Sequence, residues 1–266
     1  MVVLAHPDDE SLGVGGSIAK YASSGVDVFL VTATRGEGGR FRGHRNGDVQ
    51  HPGPVALARI REAELRAAAA VLGIREVSLL EYPDRQLDAV DPREIIGRIA
   101  AHVRRVRPDV LVTFGPDGGY GHPDHIAISQ FTTAAVVAAA DAAFAAGDAP
   151  AHAVSKLYYL AWSESMWSSY RAAVGTPVAI VDGLERHAPP WPDWAITTSI
   201  DTSEVWPTVS RAVSCHESQV ATYERLQDLP PEHHRAVWGR QSFYRVFSRV
   251  NGGRTRETDL FEGVGR

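Results

Sequence analysis

Met1-Val2-Val3-Leu4-Ala5-His6-Pro7-Asp8-Asp9-Glu10 is the stretch that decides how this chain is read. A short apolar run makes a buried strand, and a histidine and two adjacent carboxylates stand at its carboxyl end. A glycine-containing segment that continues as a helix follows directly. Open α/β sheets bind ligands in the crevice beyond the carboxyl ends of their strands. Moving outward, a second apolar run at 110–114 leads into Tyr120-Gly121-His122-Pro123-Asp124-His125. Two His/Asp clusters, far apart in sequence and each following a strand, point to one shared divalent ion.

The stretches between these clusters alternate in character. Residues 26–32, 77–80 and 157–161 are rich in β-branched, aromatic and aliphatic side chains and read as further strands. Helices are predicted over 55–72, closed by Gly73, over 92–106, started by Asp91 and Pro92, and over 126–146. Residues 35–54 are dense in Gly, Arg and His and read as a long functional loop. A βαβα succession implies an α/β fold, a Rossmann-like three-layer αβα arrangement with a mostly parallel sheet. The Trp/Pro-rich stretch 162–194 reads as an irregular, aromatic-rich cover in the C-terminal half. Residues 202–219 have helical spacing, with Val205, Val209, Ala212, Val213 and His216 on one side. No repeat or linker interrupts the chain, so 1–266 is expected to be one domain, a βα core over 1–160 and a cover with C-terminal elements over 161–266.

Composition sets the outer bounds. The 266 residues are 44% hydrophobic and 22% charged, globular values, with a net charge of −5 and no long run of one sign. A concentrated basic face is missing, so a nucleic-acid partner is not expected. Cys215 is the single cysteine, which excludes an internal disulfide and suits a reducing, cytoplasmic setting. No apolar run has the length of a membrane span, so no membrane partner is expected. The reading leaves room for a homo-oligomer.

The residue types of the two clusters suit catalysis. A catalytic metal site uses about three protein ligands and keeps a position for water, whereas structural zinc sites are mostly cysteine. Neighbouring aspartates diverge, so one is expected as ligand and the other as base. His6, Asp9 and His125 are the predicted ligands of a zinc ion, with iron(II) also suited to a two-histidine, one-carboxylate set. Asp8 is the predicted general base. His122 is placed to stabilise a developing oxyanion or to protonate a leaving amine, with Asp124 fixing its tautomer and keeping it charged. Singly, each has a plainer reading: His6 as a strand-end cap, Asp8 and Asp9 as helix-start carboxylates, His122 and His125 as solvated loop residues. Their co-occurrence at two strand ends favours the metal. His44, His51, His102 and His187 are read as loop or surface residues.

Ala5-His6-Pro7-Asp8-Asp9-Glu10 with Gly121-His122-Pro123-Asp124-His125 resembles the LmbE/PIG-L family of zinc-dependent N-deacetylases. The likeness extends to Thr34-Arg35-Gly36-Glu37-Gly38-Gly39, to Arg61-Glu62-Ala63-Glu64, to Tyr82-Pro83-Asp84 and to Cys215-His216-Glu217-Ser218-Gln219. It implies the ligands, base and acid partner already named. It further implies that Tyr120 assists the tetrahedral intermediate and that Arg61 and Asp84 hold sugar hydroxyls or the aglycone. Arg40 departs from the glutamate that mycothiol-pathway members tend to carry there. The expected activity is metal-dependent hydrolysis of the acetamide of an N-acetylglucosamine-like sugar on a small aglycone. Two alternatives stand beside it: an amidase of the same family cleaving a larger acyl group, and a non-catalytic Rossmann-like nucleotide or sugar binder.

Overall fold

The structure, a computed structural model, describes all residues except 175–178, 182, 187–188, 220–225, 227–228 and 266. His187, read above as a surface residue, and part of the 162–194 stretch lie outside the described residues. The first strand, β1 (Val2–Leu4), is buried along its whole length, as expected of a strand covered by helices on both faces. It is followed by α1 (Asp9–Ser23), β2 (Phe29–Thr34), α2 (Pro54–Leu72), β3 (Glu76–Tyr82), α3 (Pro92–Val106) and β4 (Val110–Thr113). A single turn, α4 (Gly118–Gly121), leads into α5 (Pro123–Ala140) and then β5 (Lys156–Leu160).

These five strands run parallel in the order β3-β2-β1-β4-β5. The winding direction reverses between β1 and β4, which lie side by side with Val2 opposite Val112. At such a reversal the two following connections leave on opposite faces, and a crevice opens beyond the strand ends. The two His/Asp clusters follow β1 and β4, so the topology brings them to one place.

The helix predicted over 126–146 differs at both ends. It begins at Pro123, where His122 caps the first turn by accepting the Asp124 N–H at 3.1 Å. It stops at Ala140, because buried Arg104 of α3 donates to the carbonyls of Ala138, Ala139, Asp141 and Phe144. The last turn's orphan acceptors are thus satisfied from a neighbouring helix.

The C-terminal half is more regular than the sequence indicates. After α6 (Glu164–Val174) and the small hairpin β6 (Ala179–Val181) and β7 (Leu184–Arg186), β8 (Thr198–Asp201) and β9 (Arg240–Ser248) extend the main sheet as β5-β9-β8, both pairings antiparallel. The helix expected over 202–219 is confined to α7 (Trp206–Ser214), which packs against α1 and α2, and α8 (Pro231–Trp238) closes onto it. Polar residues hid β9. Gln241 is buried because its amide bridges α1, accepting the Ser17 N–H at 2.7 Å and donating to the Gly13 carbonyl at 3.3 Å.

A second polar group hidden inside is Glu257. It is buried with Lys156, and its carboxylate accepts from Lys156 Nζ, Arg245 Nη1 and Asn251 Nδ2 at 2.7 Å each and from Tyr158 and Thr198 hydroxyls at 2.8 Å. This one carboxylate joins β5, β8 and β9 to the chain's last turn. Burial alone would raise its pKa, but Lys156, Asn251 and the hydroxyls hold it at about 2, against 4.5 ordinarily. A depressed carboxyl stabilises the fold fully above its unfolded pKa, and that contribution is lost as pH falls through the folded value. Glu257→Leu, which strands the buried Lys156 ammonium and takes a partner from half-buried Arg245, should cost about 3–5 kcal/mol in urea denaturation at pH 7. Wild type should lose part of that advantage between pH 4.5 and about 2. A difference between the two proteins that stays constant down that acid limb would contradict the assignment.

Candidate active site

At the carboxyl end of β1 the backbone turns through Asp8 with a φ of 101°, a left-handed conformation unusual for a residue with a Cβ. Three contacts hold the turn. Arg61 of α2 donates from Nη2 to the Pro7 carbonyl and to Asp8 Oδ2 at 3.0 Å. Its Nη1 donates to the Gly36 carbonyl at 2.8 Å, and the Asp8 N–H donates to Glu10 Oε2 at 2.9 Å. Gly36 itself has a φ of +66°, and a Cβ there would lie 2.2 Å from Arg61 Nη1, so the loop can approach the guanidinium only as glycine. The family likeness places Arg61 on the substrate. The structure places Arg61, only 4% exposed, with its fork on Asp8, Pro7 and Gly36.

His6, Asp9 and His125 converge. His6 Nδ1 is 3.1 Å from His125 Nε2 and 3.6 Å from Asp9 Oδ2, while Asp9 Oδ1 is 3.4 Å from His125 Nε2. The remaining ring nitrogens have fixed partners. His125 Nδ1–H donates to the Gly118 carbonyl at 3.1 Å, and its ring stacks on Phe114 at 3.9 Å. His6 Nε2–H faces Asp84 Oδ1 at 3.0 Å and Asp124 Oδ2 at 3.1 Å. Outer carboxylates or carbonyls on one nitrogen turn the lone pair of the other toward a metal. Two ligand atoms bonded to one zinc at tetrahedral angles stand about 3.3 Å apart, so the observed spacing fits a divalent ion. His122 also offers a nitrogen within 4.8 Å of those of His6 and His125.

Electrostatics follow from this packing. Burial disfavours a charged His6, but Asp84, Asp124 and Asp9 outweigh it and raise its pKa well above the ordinary value. Burial likewise opposes ionised Asp9, and His125 and His6 overcome it, lowering its pKa well below the ordinary range. Asp84 is lowered too, its burial offset by His6 and Arg61. His122 goes the other way: burial, then His6 and His125, lower it to about 3.

The contacts of the other predicted residues differ from those expected. Asp124 does not orient His122 with its carboxylate, which accepts instead from His6, from the Arg85 N–H at 2.7 Å and from the Leu87 N–H at 3.1 Å. Only its backbone N–H reaches His122 Nδ1. Burial and the neighbouring His6 and His125 also disfavour the imidazolium form expected of His122. With Nδ1 accepting, its Nε2 carries the proton and is a donor. Asp84 is drawn from the aglycone role to the back of His6, and it accepts the Gly38 N–H at 2.9 Å. Tyr120 lies edge-on to His122 and His125, and burial keeps its hydroxyl protonated by raising its pKa. His51, read as a loop or surface residue, is buried and accepts the Gly53 N–H at 3.0 Å.

Sequence reasoning gave no role to Glu10 or to the partners of Glu64 and His216. Glu64 Oε1 accepts the Ser218 N–H and Oε2 its hydroxyl, both at 2.6 Å, and Gln219 donates to the Arg40 carbonyl at 2.7 Å. The signal available was a histidine, His216, on the apolar side of a helical stripe, where only a hydrogen-bonded histidine is tolerated.

The family model PIG-L, described as GlcNAc-PI de-N-acetylase, matches residues 1–136. A 1D-myo-inositol 2-acetamido-2-deoxy-alpha-D-glucopyranoside deacetylase of Kineococcus radiotolerans is 36% identical, the alignment covering 99% of this chain and 82% of the relative. Among solved structures, N,N'-diacetylchitobiose deacetylase from Pyrococcus horikoshii superposes with a TM-score of 0.67 at 19% identity, over 92% of this chain and 82% of that one. The 4-carboxy-2-hydroxymuconate hydratase GalB from Pseudomonas putida gives 0.69 at 20% identity, over 95% and 97%. A hydratase and a deacetylase on one scaffold show that the fold by itself does not select the reaction.

Because one guanidinium serves three acceptors, lysine cannot replace it. Arg61→Lys should lower the unfolding free energy by about 1.5–3 kcal/mol, the range for hydrogen bonds to charged groups, in urea titration. A change below about 0.5 kcal/mol would show that the Asp8 turn holds without the clamp.

Proposed function

The chain belongs to the PIG-L family of GlcNAc-PI de-N-acetylases, and on that premise we propose that it hydrolyses the acetamide of an N-acetylglucosamine-like sugar joined to a small aglycone. The observation that carries this reading is the convergence of His6, Asp9 and His125 beside Asp8 at the reversal point of the sheet, in a chain alike over its length to an inositol-glycoside deacetylase. Residues 1–266 act as one catalytic domain in this reading, supported by β8 and β9 completing the sheet and by 216–219 reaching the site.

His6 Nδ1, Asp9 and His125 Nε2 would hold a divalent metal, zinc by the nitrogen and oxygen donor set, with iron(II) the competing ion. Such an ion supplies Lewis acidity toward the acetamide oxygen and lowers the pKa of water. Asp8, its carboxylate aimed by Arg61, takes the proton from the attacking water. The oxygen of the amide gains charge as the carbon becomes tetrahedral. His122 Nε2–H and the Tyr120 hydroxyl, both protonated at neutral pH, donate to it. A neutral donor fits this role better than an acid of pKa about 3, which would hold no proton for the amine. The proton collected by Asp8 is then the one available to the leaving amine, and the products are acetate and the free amino sugar.

Incubation with N-acetylglucosaminyl glycosides, read by released amine and acetate, tests the reading. Asp8→Asn should bind the same one equivalent of metal while kcat falls by about 10²–10⁴, the range for general-base loss. Full activity of that variant would remove Asp8 from the role. Faster release from long-chain acyl glucosamines than from acetyl would turn the reading to the amidase alternative, and no stoichiometric metal would turn it to a binder. Because protons compete for His6, metal affinity should rise with pH through and above the ordinary histidine range, measured as proton release on binding.

A further inference from the structure

The Asp8 turn has a second support that comes from the other end of the chain. Glu10 and His216 are both 0% exposed, and His216 Nε2 lies 2.8 Å from Glu10 Oε1. That oxygen also accepts the Ser11 hydroxyl at 2.6 Å, while Oε2 accepts the Asp8 N–H at 2.9 Å. Glu10 is therefore a two-sided connector: one oxygen fixes the amide of the strained residue, the other is held by an imidazole. His216 directly follows Cys215, the residue that ends α7, and α7 packs between α1 and α2, the helices that carry Glu10 and Arg61. Two residues on, the Ser218 carbonyl accepts the Arg42 N–H at 2.6 Å, and Glu64, one turn beyond Arg61, grips Ser218.

We propose that His216 is a positioning residue for the reaction, acting through Glu10 to set the direction of the Asp8 carboxylate. A non-glycine residue at φ 101° costs of order 1–3 kcal/mol and persists only where its surroundings over-determine it. Arg61 holds the carbonyl before Asp8 and the carboxylate. The Asp8 carbonyl accepts the Ser11 and Leu12 N–H groups of α1, and the Glu10–His216 pair holds the amide. With the amide released, the peptide can rotate toward an ordinary φ, and the carboxylate swings with it. His216 touches none of the reacting atoms, so its effect is on turnover and not on substrate affinity.

This inference rests on Asp8 as general base, and the experiment separates the two. His216→Phe keeps a ring of similar size without the hydrogen bond, His216→Asn is too short to reach Glu10, and His216→Gln keeps an N–H donor of similar reach. Each is assayed for kcat, KM and bound metal, alone and in the Asp8→Asn background. His216→Phe and His216→Asn should lose about 10–100-fold in kcat, the range for outer-shell partners, with KM within about threefold and one metal retained. His216→Gln should recover to within about fivefold of wild type. In the Asp8→Asn background the His216 changes should have little further effect, because the carboxylate they aim is gone. The proposal is overturned if His216→Asn keeps wild-type kcat, if its loss follows lost metal, or if the same factor is subtracted again in the Asp8→Asn background. Should His216→Phe not fold, His216→Asn and His216→Gln carry the same comparison. An inactive wild type, by contrast, refutes the deacetylase reading itself.

Discussion

The contact on which the site depends is the guanidinium of Arg61 against the Pro7–Asp8 turn. A strand that ends in His6 must change direction at once, or Asp9 points away from His6 and His125. Here the change is made in one residue, with Asp8 in the left-handed region. Local preference opposes that conformation, so it must be imposed from outside. Arg61 imposes it with a rigid fork that lysine could not copy, and glycine at 36 lets the neighbouring loop come close enough to share the same cation. Asp8 and Asp9 are thereby split to different tasks: one held by Arg61, the other turned toward the two histidines.

Around this turn the outer carboxylates do more than neutralise. Asp84 and Asp124 sit on the same nitrogen of His6, one from the end of β3 and one from the start of α5. They choose the tautomer of His6, and in doing so they link three strand ends in one ion-pair cluster. His122, buried beside two other histidines, is disfavoured from taking a second proton. The site thus contains histidines of opposite character within stacking distance, and the difference arises from which of them faces carboxylates.

Much of this was legible in the sequence, for reasons that can be stated residue by residue. The strand before His6 and the strand before His122 are buried on both faces, so they read as plain apolar runs. Asp91 with Pro92 marks a helix start that Asp91 performs by accepting the Arg93 N–H. The convergence of His6, Asp9 and His125 was legible because His and Asp recur together after two separate apolar strands. What stayed hidden depends on partners distant in the chain. Arg61 reads as a residue facing the substrate until the Asp8 turn is set against it. Asp124 reads as the neighbour of His122, whereas its side chain leaves the helix toward His6. The strand at Arg240–Ser248 alternates poorly because Gln241 and Ser242 are buried polar residues, one of them satisfied by a helix from the chain's beginning.

The bridge made by Gln241 has an implication for synthesis. His6, Asp9 and His125, the donors proposed for the metal, are all synthesised by residue 125, yet the amide that stitches Gly13 to Ser17 lies far downstream, as does the imidazole behind Glu10. A nascent chain therefore holds these residues well before the late strand arrives to add its two hydrogen bonds to the first helix. Assembly of the ion-binding cluster and completion of a working catalyst are consequently separate events in time. Truncation between residue 125 and β9 leaves a chain with the proposed ligands and without the Gln241 bridge.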